Sequence, residues 1–385
     1  MTRSSPRVIH VITGLAPGGA ETLLFRLLNE LDPESRRGHQ VVSLRPRWTL
    51  ADDIEGLGVP VRALDMNGYP TPRTTRRLVQ ALRDSDAGVI QTWMLHSNVL
   101  GGAIARATTP RTPIAWGIHL TKVDPKTLGV KAALVQRCEA ASSWLIPSSI
   151  VSCSLSSTRA MERMKYSKRK IETIPNGFDV NQFKPDPDAR REIRKELGLG
   201  DDVVVVGHVA RYHPVKDHAT LLKAAHRVLD EHPKAHFVLC GNEVDSGNPR
   251  LRELVGDRGG QITMLGQRSD IPRLLNGFDV AVSSSSSEAL SLSVGEAMAT
   301  GVPVVATRSG DSEELVADTG VVTPIEDPTA LASALGEIVA LEPATRLELG
   351  RRARLRISAS YSLAAMAASY MRLWEQLEAG IPKFF

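Results

Sequence analysis

Two carboxylates, Glu288 and Glu296, stand eight positions apart in SSSSSEALSLSVGEAMATGVPVVAT (residues 283–307). A carboxylate accepts paired hydrogen bonds from a vicinal diol. One of the two could therefore hold sugar hydroxyls and the other ribose hydroxyls. Eight helical positions span ~12 Å, the scale of a nucleoside diphosphate. The alternative is a pair of ordinary surface glutamates, which leaves unexplained why both flank a Gly/Ser-rich strand end. Two cations, Arg211 and Lys216, lie in GHVARYHPVKD (207–217), just past an apolar run. Such a pair could hold a diphosphate and stabilise the charge that grows on it when a bond to it breaks. A solvated basic loop is the other reading.

Further candidates are weaker one by one. GLAPGGAE (14–21) follows an apolar run and opens a helical pattern. Its glycines, Gly18 and Gly19 among them, would let backbone N–H groups approach an anion at a helix N-terminus. The spacing is not GxGxxG, and a tight strand-to-helix turn fits equally well. His119 ends PIAWGIH (113–119) and could donate to a sugar or phosphate, or could be a half-buried structural histidine. Six histidines fall between His208 and His236, but their spacing fits no HExxH or similar zinc pattern. Asp186-Pro187-Asp188 has the DxD form that can hold a metal bound to a sugar nucleotide, yet it lies in a charged stretch away from any strand end. No GxSxG, P-loop or Cys-His nucleophile pair is present. Cations and hydrogen bonds are left to do the chemistry, with no metal site expected.

These residues need strand ends to position them. Short apolar runs alternate with helical patterns: VIHVIT (8–13), ETLLFRLLNEL (21–31), QVVSL (40–44), VRAL (61–64), RRLVQALRD (76–84), AGVIQT (87–92), PIAWGIH and SSWLIPS (142–148). That alternation predicts βαβ units and a parallel sheet. IPNGFDVNQFKPDPDARREIRKELGLGDD, near residue 175, reads as a linker with one short helix. The alternation then restarts with VVVVGHVA (203–210), HATLLKAAHRVLDEH, HFVLCG, ITMLG, DVAVSSS and VPVVAT, and a final amphipathic helix covers 361–378. We expect an α/β protein of two Rossmann-like domains facing a cleft, with the last helix packing back toward the first domain. The boundaries are 1–175, a linker at 176–202, 203–360, and a C-terminal helix and tail at 361–385.

Composition is compatible with this plan. A chain of 385 residues, 42% apolar and 23% charged, suits two soluble domains. No apolar run reaches the ~20 residues that span a bilayer. Three scattered cysteines suggest reduced thiols and a cytoplasmic setting. The net charge of +4 conceals an imbalance, with +10 in residues 1–175 and −6 in the remainder. The basic first half could face an anionic membrane or acceptor; simple drift of surface charge is the alternative. Aromatics are only 4%, and the cations are not interleaved with them, so no nucleic-acid partner is expected.

Taken together, Glu288-ALSLSVG-Glu296 with AMATGVPVVAT, IPNGFDVNQFKP (174–185), GHVARYHPVKDH and GLAPGGAE resemble glycosyltransferase family 4, the retaining group 1 glycosyltransferases of the GT-B fold. The resemblance covers nearly the whole chain. It implies that Arg211 and Lys216 hold the donor diphosphate, Glu288 the donor sugar and Glu296 the ribose. Backbone around Ala289 and Leu290 would add hydrogen bonds. His119 would lie near the reacting face of the sugar, and Gly18 and Gly19 would shape the site between donor and acceptor. Many members carry Gly-Phe where this chain has Ala289-Leu290. The implied reaction is metal-independent transfer of a hexose, with retention, from a UDP- or GDP-sugar to a hydroxyl of a glycan or lipid-linked acceptor. Envelope or exopolysaccharide assembly, peripheral to the inner face of the plasma membrane, is the expected setting. A sugar-nucleotide 2-epimerase of the same fold and a non-catalytic sugar-nucleotide-binding module are the alternatives.

Overall fold

Thirteen strands among the described residues form two parallel sheets. The computed structural model describes residues 5–16, 18–118 and 125–380. The first sheet holds β1 (Val8–Ile12), β2 (His39–Ser43), β3 (Val61–Ala63), β4 (Val89–Trp93), β5 (Ile114–Ile118), β6 (Ser149–Ser152) and β7 (Ile171–Thr173), in the order β3-β2-β1-β4-β5-β6-β7. The second holds β8 (Val204–Val209), β9 (Ala235–Cys240), β10 (Ile262–Met264), β11 (Val280–Ser283), β12 (Val304–Thr307) and β13 (Gly320–Thr323), in the order β10-β9-β8-β11-β12-β13. Strands β1 and β4 are buried along their whole length, although their apolar runs are interrupted by His10 and by Gln91 and Thr92, whose side chains are buried with them. Helices cover both faces of each sheet, so each unit has two apolar clusters.

The chain divides into two units, Met1–Asn176 with Leu363–Phe385, and Gly177–Ser362. The last helix, Leu363–Glu378, thus belongs with the first sheet, as expected. Its anchoring is specific. The Trp374 indole N–H donates to Gln91 Oε1 at 3.1 Å. Its ring meets the His10 and His39 rings edge-on at 5.4 and 5.2 Å. His10 Nδ1 accepts from the Trp93 indole at 3.2 Å, so Nε2 carries the proton and donates to His39 Nδ1 at 2.9 Å. Burial lowers the His39 pKa to about 4 and holds His10 well below the usual imidazole range, where His39 adds to the effect.

Two expectations are corrected. The segment 176–202 is not a free linker, because all but its first residue packs into the second unit. Its helix Pro187–Glu196 places Arg190 and Arg194 on Asp279, at 2.6 and 3.0 Å. Phe178 lies against Gly295 so closely that a Cβ there would stand 2.0 Å from the ring. The stretch SSWLIPS (142–148) is not a strand. Helix Pro125–Ser142 ends in it, Trp144 and Leu145 turn outward, and the strand begins only at Ser149. Its apolar run is a helix exit, cut off from the strand by Pro147. Strands β7 and β13 lie outside the predicted set; both are short and half-buried.

Candidate functional site

In an open parallel sheet, ligands bind beyond the carboxyl ends of the strands, where the strand order reverses. In the second unit that place lies between β8 and β11, which pair at Val206–Val280 and Gly207–Ala281. Lys216 follows β8 in a single 3-10 turn, Pro214–Lys216, and Glu288 follows β11. Across the switch point the Lys216 ammonium forms an ion pair with Glu288 Oε1, with the two side chains 22% and 15% exposed. The serine run positions both. Ser284 Oγ donates to the Lys216 carbonyl at 2.7 Å, and the Ser286 N–H to the Val215 carbonyl at 2.8 Å. The polar run is therefore a clasp between two strand-end loops.

Beneath this pair lie two imidazoles. His208, on β8, has Nδ1 2.9 Å from the Val282 carbonyl of β11, so Nδ1 carries the proton. His218 begins helix His218–Glu231, with its ring 5.0 Å from that of His208, edge-on. Burial lowers the His208 pKa to about 4, and the positive Lys216 adds to this. Burial lowers His218 to about 3, helped by His208 and Lys216. Both rings are neutral near pH 7. Their buried nitrogens, His208 Nε2 and both of His218, have no hydrogen-bond partner among the described residues.

Arg211 is exposed in the loop that leads from β8 to Lys216. Gly241 permits its close path, since a Cβ there would stand 2.0 Å from the Ala210 carbonyl oxygen. Beyond it, Tyr212, Glu243, Asp245, Asn248 and Arg250 line an open cavity of about 400 Å³. On the other side, Gly310 supports the glutamate loop. Its φ is +58°, and a Cβ would meet the Glu288 and Ala289 carbonyl oxygens at 2.4 Å. The Asp311 N–H donates to the Ala289 carbonyl at 2.9 Å. Leu290 is buried below. Helix Leu292–Ala299 follows and carries Glu296; the side chain of its N-cap, Ser291, does not cap the first turn. Residues 288–291 are loop, so the eight-position helical rise does not apply to the Glu288–Glu296 separation.

The structure thus brings Lys216 and Glu288 into contact, with Arg211, Ala289, Leu290 and Glu296 on the same loops and the helix after them. Gly18 and Gly19 lie in the first unit at the exposed start of helix Gly19–Glu30. A Cβ at Gly19 would meet nothing within 4 Å, so packing does not demand glycine there. His119 lies outside the described residues. Asp186 is the cap of its helix, and Asp188 pairs with Arg191, so the DxD is structural. Among the described residues no cluster of three or more His, Cys, Asp or Glu could hold a metal ion. No helix of these residues is long and apolar enough to cross a membrane.

Sequence reasoning missed the switch point of the first unit, between β1 and β4. There Thr13 Oγ1 meets Ser97 Oγ at 3.1 Å. Met94 stands at φ 72°, a strained value for a non-glycine residue, ahead of a π-helical turn at Ser97–Gly101. Asn98 donates to Glu139 Oε1 at 2.7 Å, and the Tyr166 hydroxyl to Glu139 Oε2 at 2.6 Å. Burial raises the Glu139 pKa against both bonds. Small polar residues after a strand carry too little signal for this to be foreseen.

Comparison with known proteins agrees with this architecture. Sequence models of "Glycosyltransferase Family 4" and "Glycosyl transferases group 1" match residues 17–182 and 201–340. The chain is 27% identical to the GDP-mannose-dependent alpha-(1-6)-phosphatidylinositol monomannoside mannosyltransferase of Mycolicibacterium smegmatis, over 84% of this chain and 86% of the relative. It is 32% identical to the D-inositol 3-phosphate glycosyltransferase of Corynebacterium jeikeium, over 54% and 52%. Its fold matches HepE of Anabaena, solved in complex with UDP, with a TM-score of 0.79 at 22% identity, over 96% of this chain and all of that one. Two parallel sheets with their helices, and two family models that together span most of the sequence, lead to one conclusion: the chain belongs to the family 4, group 1 glycosyltransferases and has the GT-B fold.

Proposed function

We propose that the chain is a retaining, metal-independent hexosyltransferase that uses a UDP- or GDP-sugar. The observation that carries this reading is the Lys216–Glu288 pair, set across the switch point of the second unit. Arg211 and Lys216 bind the diphosphate, Glu288 the donor sugar and Glu296 the ribose. Backbone groups at Ala289 and Leu290 complete the donor site. In the first unit, Gly18, Gly19 and His119 serve the reacting face of the sugar and the acceptor. As the sugar–phosphate bond breaks, its electron pair moves to the departing oxygen, where the two cations stabilise it. The acceptor hydroxyl attacks the same face and passes its proton to a donor phosphate oxygen. Neutral His208 and His218 below the pair leave Lys216 as the cation there.

Both donor classes have support among the relatives. The mycobacterial relative is named for GDP-mannose, and HepE was solved with UDP-glucose. The acceptor in this reading is a glycan or lipid-linked hydroxyl in envelope or exopolysaccharide assembly. The basic first unit faces an anionic membrane surface, consistent with its charge of +10 over residues 1–175.

The test is to incubate the protein with UDP- and GDP-hexoses, with and without glycan or polyprenyl-linked acceptors, and follow products by NMR. An α-linked product that forms only with acceptor supports the proposal. An isomerised donor formed without acceptor would identify a 2-epimerase instead. Tight binding without turnover would identify a non-catalytic module.

A further inference from the structure

The helix exit at Ser143–Leu145 displays an apolar pair on a cationic base. Trp144 is 61% exposed and Leu145 82%. Neither is a loose end. The Trp144 indole N–H donates to the Lys165 carbonyl at 3.0 Å, and Ser143 Oγ accepts from the Ser167 N–H at 2.9 Å. The Lys170 ammonium donates to the Ser143 and Trp144 carbonyls at 3.1 and 2.8 Å. Lys165 sits at φ 68°, which fixes the turn facing the tryptophan. The sequence here, RMKYSKRK (163–170), has five cations and no acid. Lys165, Lys168 and Arg169 are exposed, and Glu162 is the acid paired with Lys168.

This combination has a physical meaning. An exposed Trp-Leu pair is unfavourable in water, and the cationic segment bonded to it, with Lys170 on its carbonyls, deters an apolar protein partner. A bilayer interface accepts both. Its headgroup layer takes an indole whose N–H is already bonded, and its anionic phosphates take Lys and Arg. We propose that Trp144 and Leu145, together with the exposed cations Lys165, Lys168 and Arg169 of the segment that Trp144 bonds to, are the anchor that docks the first unit on an anionic bilayer. This assignment rests on the reading above that the first unit faces a membrane, and it names the surface that makes contact.

The test is co-sedimentation of the full chain with vesicles of phosphatidylcholine alone or with one quarter phosphatidylglycerol, at low salt. The wild type should bind only the anionic vesicles. Lys165→Glu/Lys168→Glu/Arg169→Glu should weaken binding at least about thirtyfold. Trp144→Ser/Leu145→Ser should weaken it about tenfold, and Leu145→Ser alone, at a site too exposed to affect folding, about threefold. Reversal of Arg73, Arg76 and Arg77, on the helix Pro72–Asp84, should change binding less than threefold. Patch variants that bind like the wild type, alongside a large loss on the Arg73/Arg76/Arg77 surface, would overturn the assignment and leave the membrane reading standing. A wild type that binds neither vesicle would remove both.

Discussion

The two units place their switch points alike but fill them differently. In the second, an ion pair, Lys216–Glu288, joins the loops after β8 and β11. In the first, two neutral hydroxyls, Thr13 and Ser97, join the loops after β1 and β4. One backbone plan thus offers charge in one unit and uncharged hydrogen bonds in the other. A leaving diphosphate needs charge. In the proposed reaction an acceptor hydroxyl needs space and orientation, and the exposed Gly18–Gly19 segment is proposed to supply them. The fold sets where chemistry can happen, and a few loop residues set which chemistry it is.

The contrast predicts unequal responses to mutation. Lys216→Ala should lower kcat about a thousandfold, the scale of losing one charge-stabilising group from a transition state. Circular dichroism should show an intact fold. Glu288→Gln keeps the shape and removes the charge, and should cost about a hundredfold in kcat/KM. If both changes cost less than tenfold, the ion pair is structural and the contrast collapses.

Gly310→Val tests the support of the charged loop without touching a charge. Left-handed backbone and two carbonyl oxygens 2.4 Å from a Cβ leave the side chain no room. Donor affinity should fall about thirtyfold, with a loss of stability of about 2–3 kcal/mol. Gly19→Ala, where a Cβ meets nothing within 4 Å, should leave stability unchanged within about 0.5 kcal/mol.

Acid sharpens the comparison in a different way, because both units bury neutral histidines. His39 and His208 titrate at about 4 and His218 at about 3 in the folded chain, against 6.5 when unfolded. Depressed pKa values mean that the unfolded state binds more protons. The stability they contribute is complete above pH 6.5 and is lost as the pH falls from there toward about 4. At pH 5 the loss should be on the order of 2 kcal/mol per imidazole. Urea unfolding at pH 7.5 and 5.0 measures it, and His208→Gln should reduce the pH dependence. An equal midpoint at both pH values would contradict the buried, neutral assignment. Thr13→Val is the smallest change, expected to alter kcat less than tenfold.

Much of this was legible beforehand for simple reasons. Buried parallel strands read as near-continuous apolar runs, and VVVVGHVA, broken only by Gly207 and His208, needed no context to be β8. Residues 211–216 and 288–296 stood out because charged side chains follow apolar runs there, and the structure brings Lys216 and Glu288 of the two stretches into contact. The same logic failed where the signal depended on partners distant in sequence. SSWLIPS looked like a strand because an apolar run does not reveal whether it faces a core or solvent. The segment after Gly177 looked like a linker because its order comes from Asp279, some 90 residues away. Gly310 carried only the mark of a turn, and its role appears once Glu288 is folded over it.

The central claim is that the charged switch point of the second unit binds a nucleoside diphosphate without a metal. Calorimetric titration of the wild type and Lys216→Ala with UDP, GDP, ADP and CMP, each with and without EDTA, tests it most directly. The account predicts micromolar binding of UDP or GDP, no effect of EDTA, and at least thirtyfold weaker binding by Lys216→Ala. Failure of every nucleotide to bind, or binding that disappears with EDTA, would contradict it.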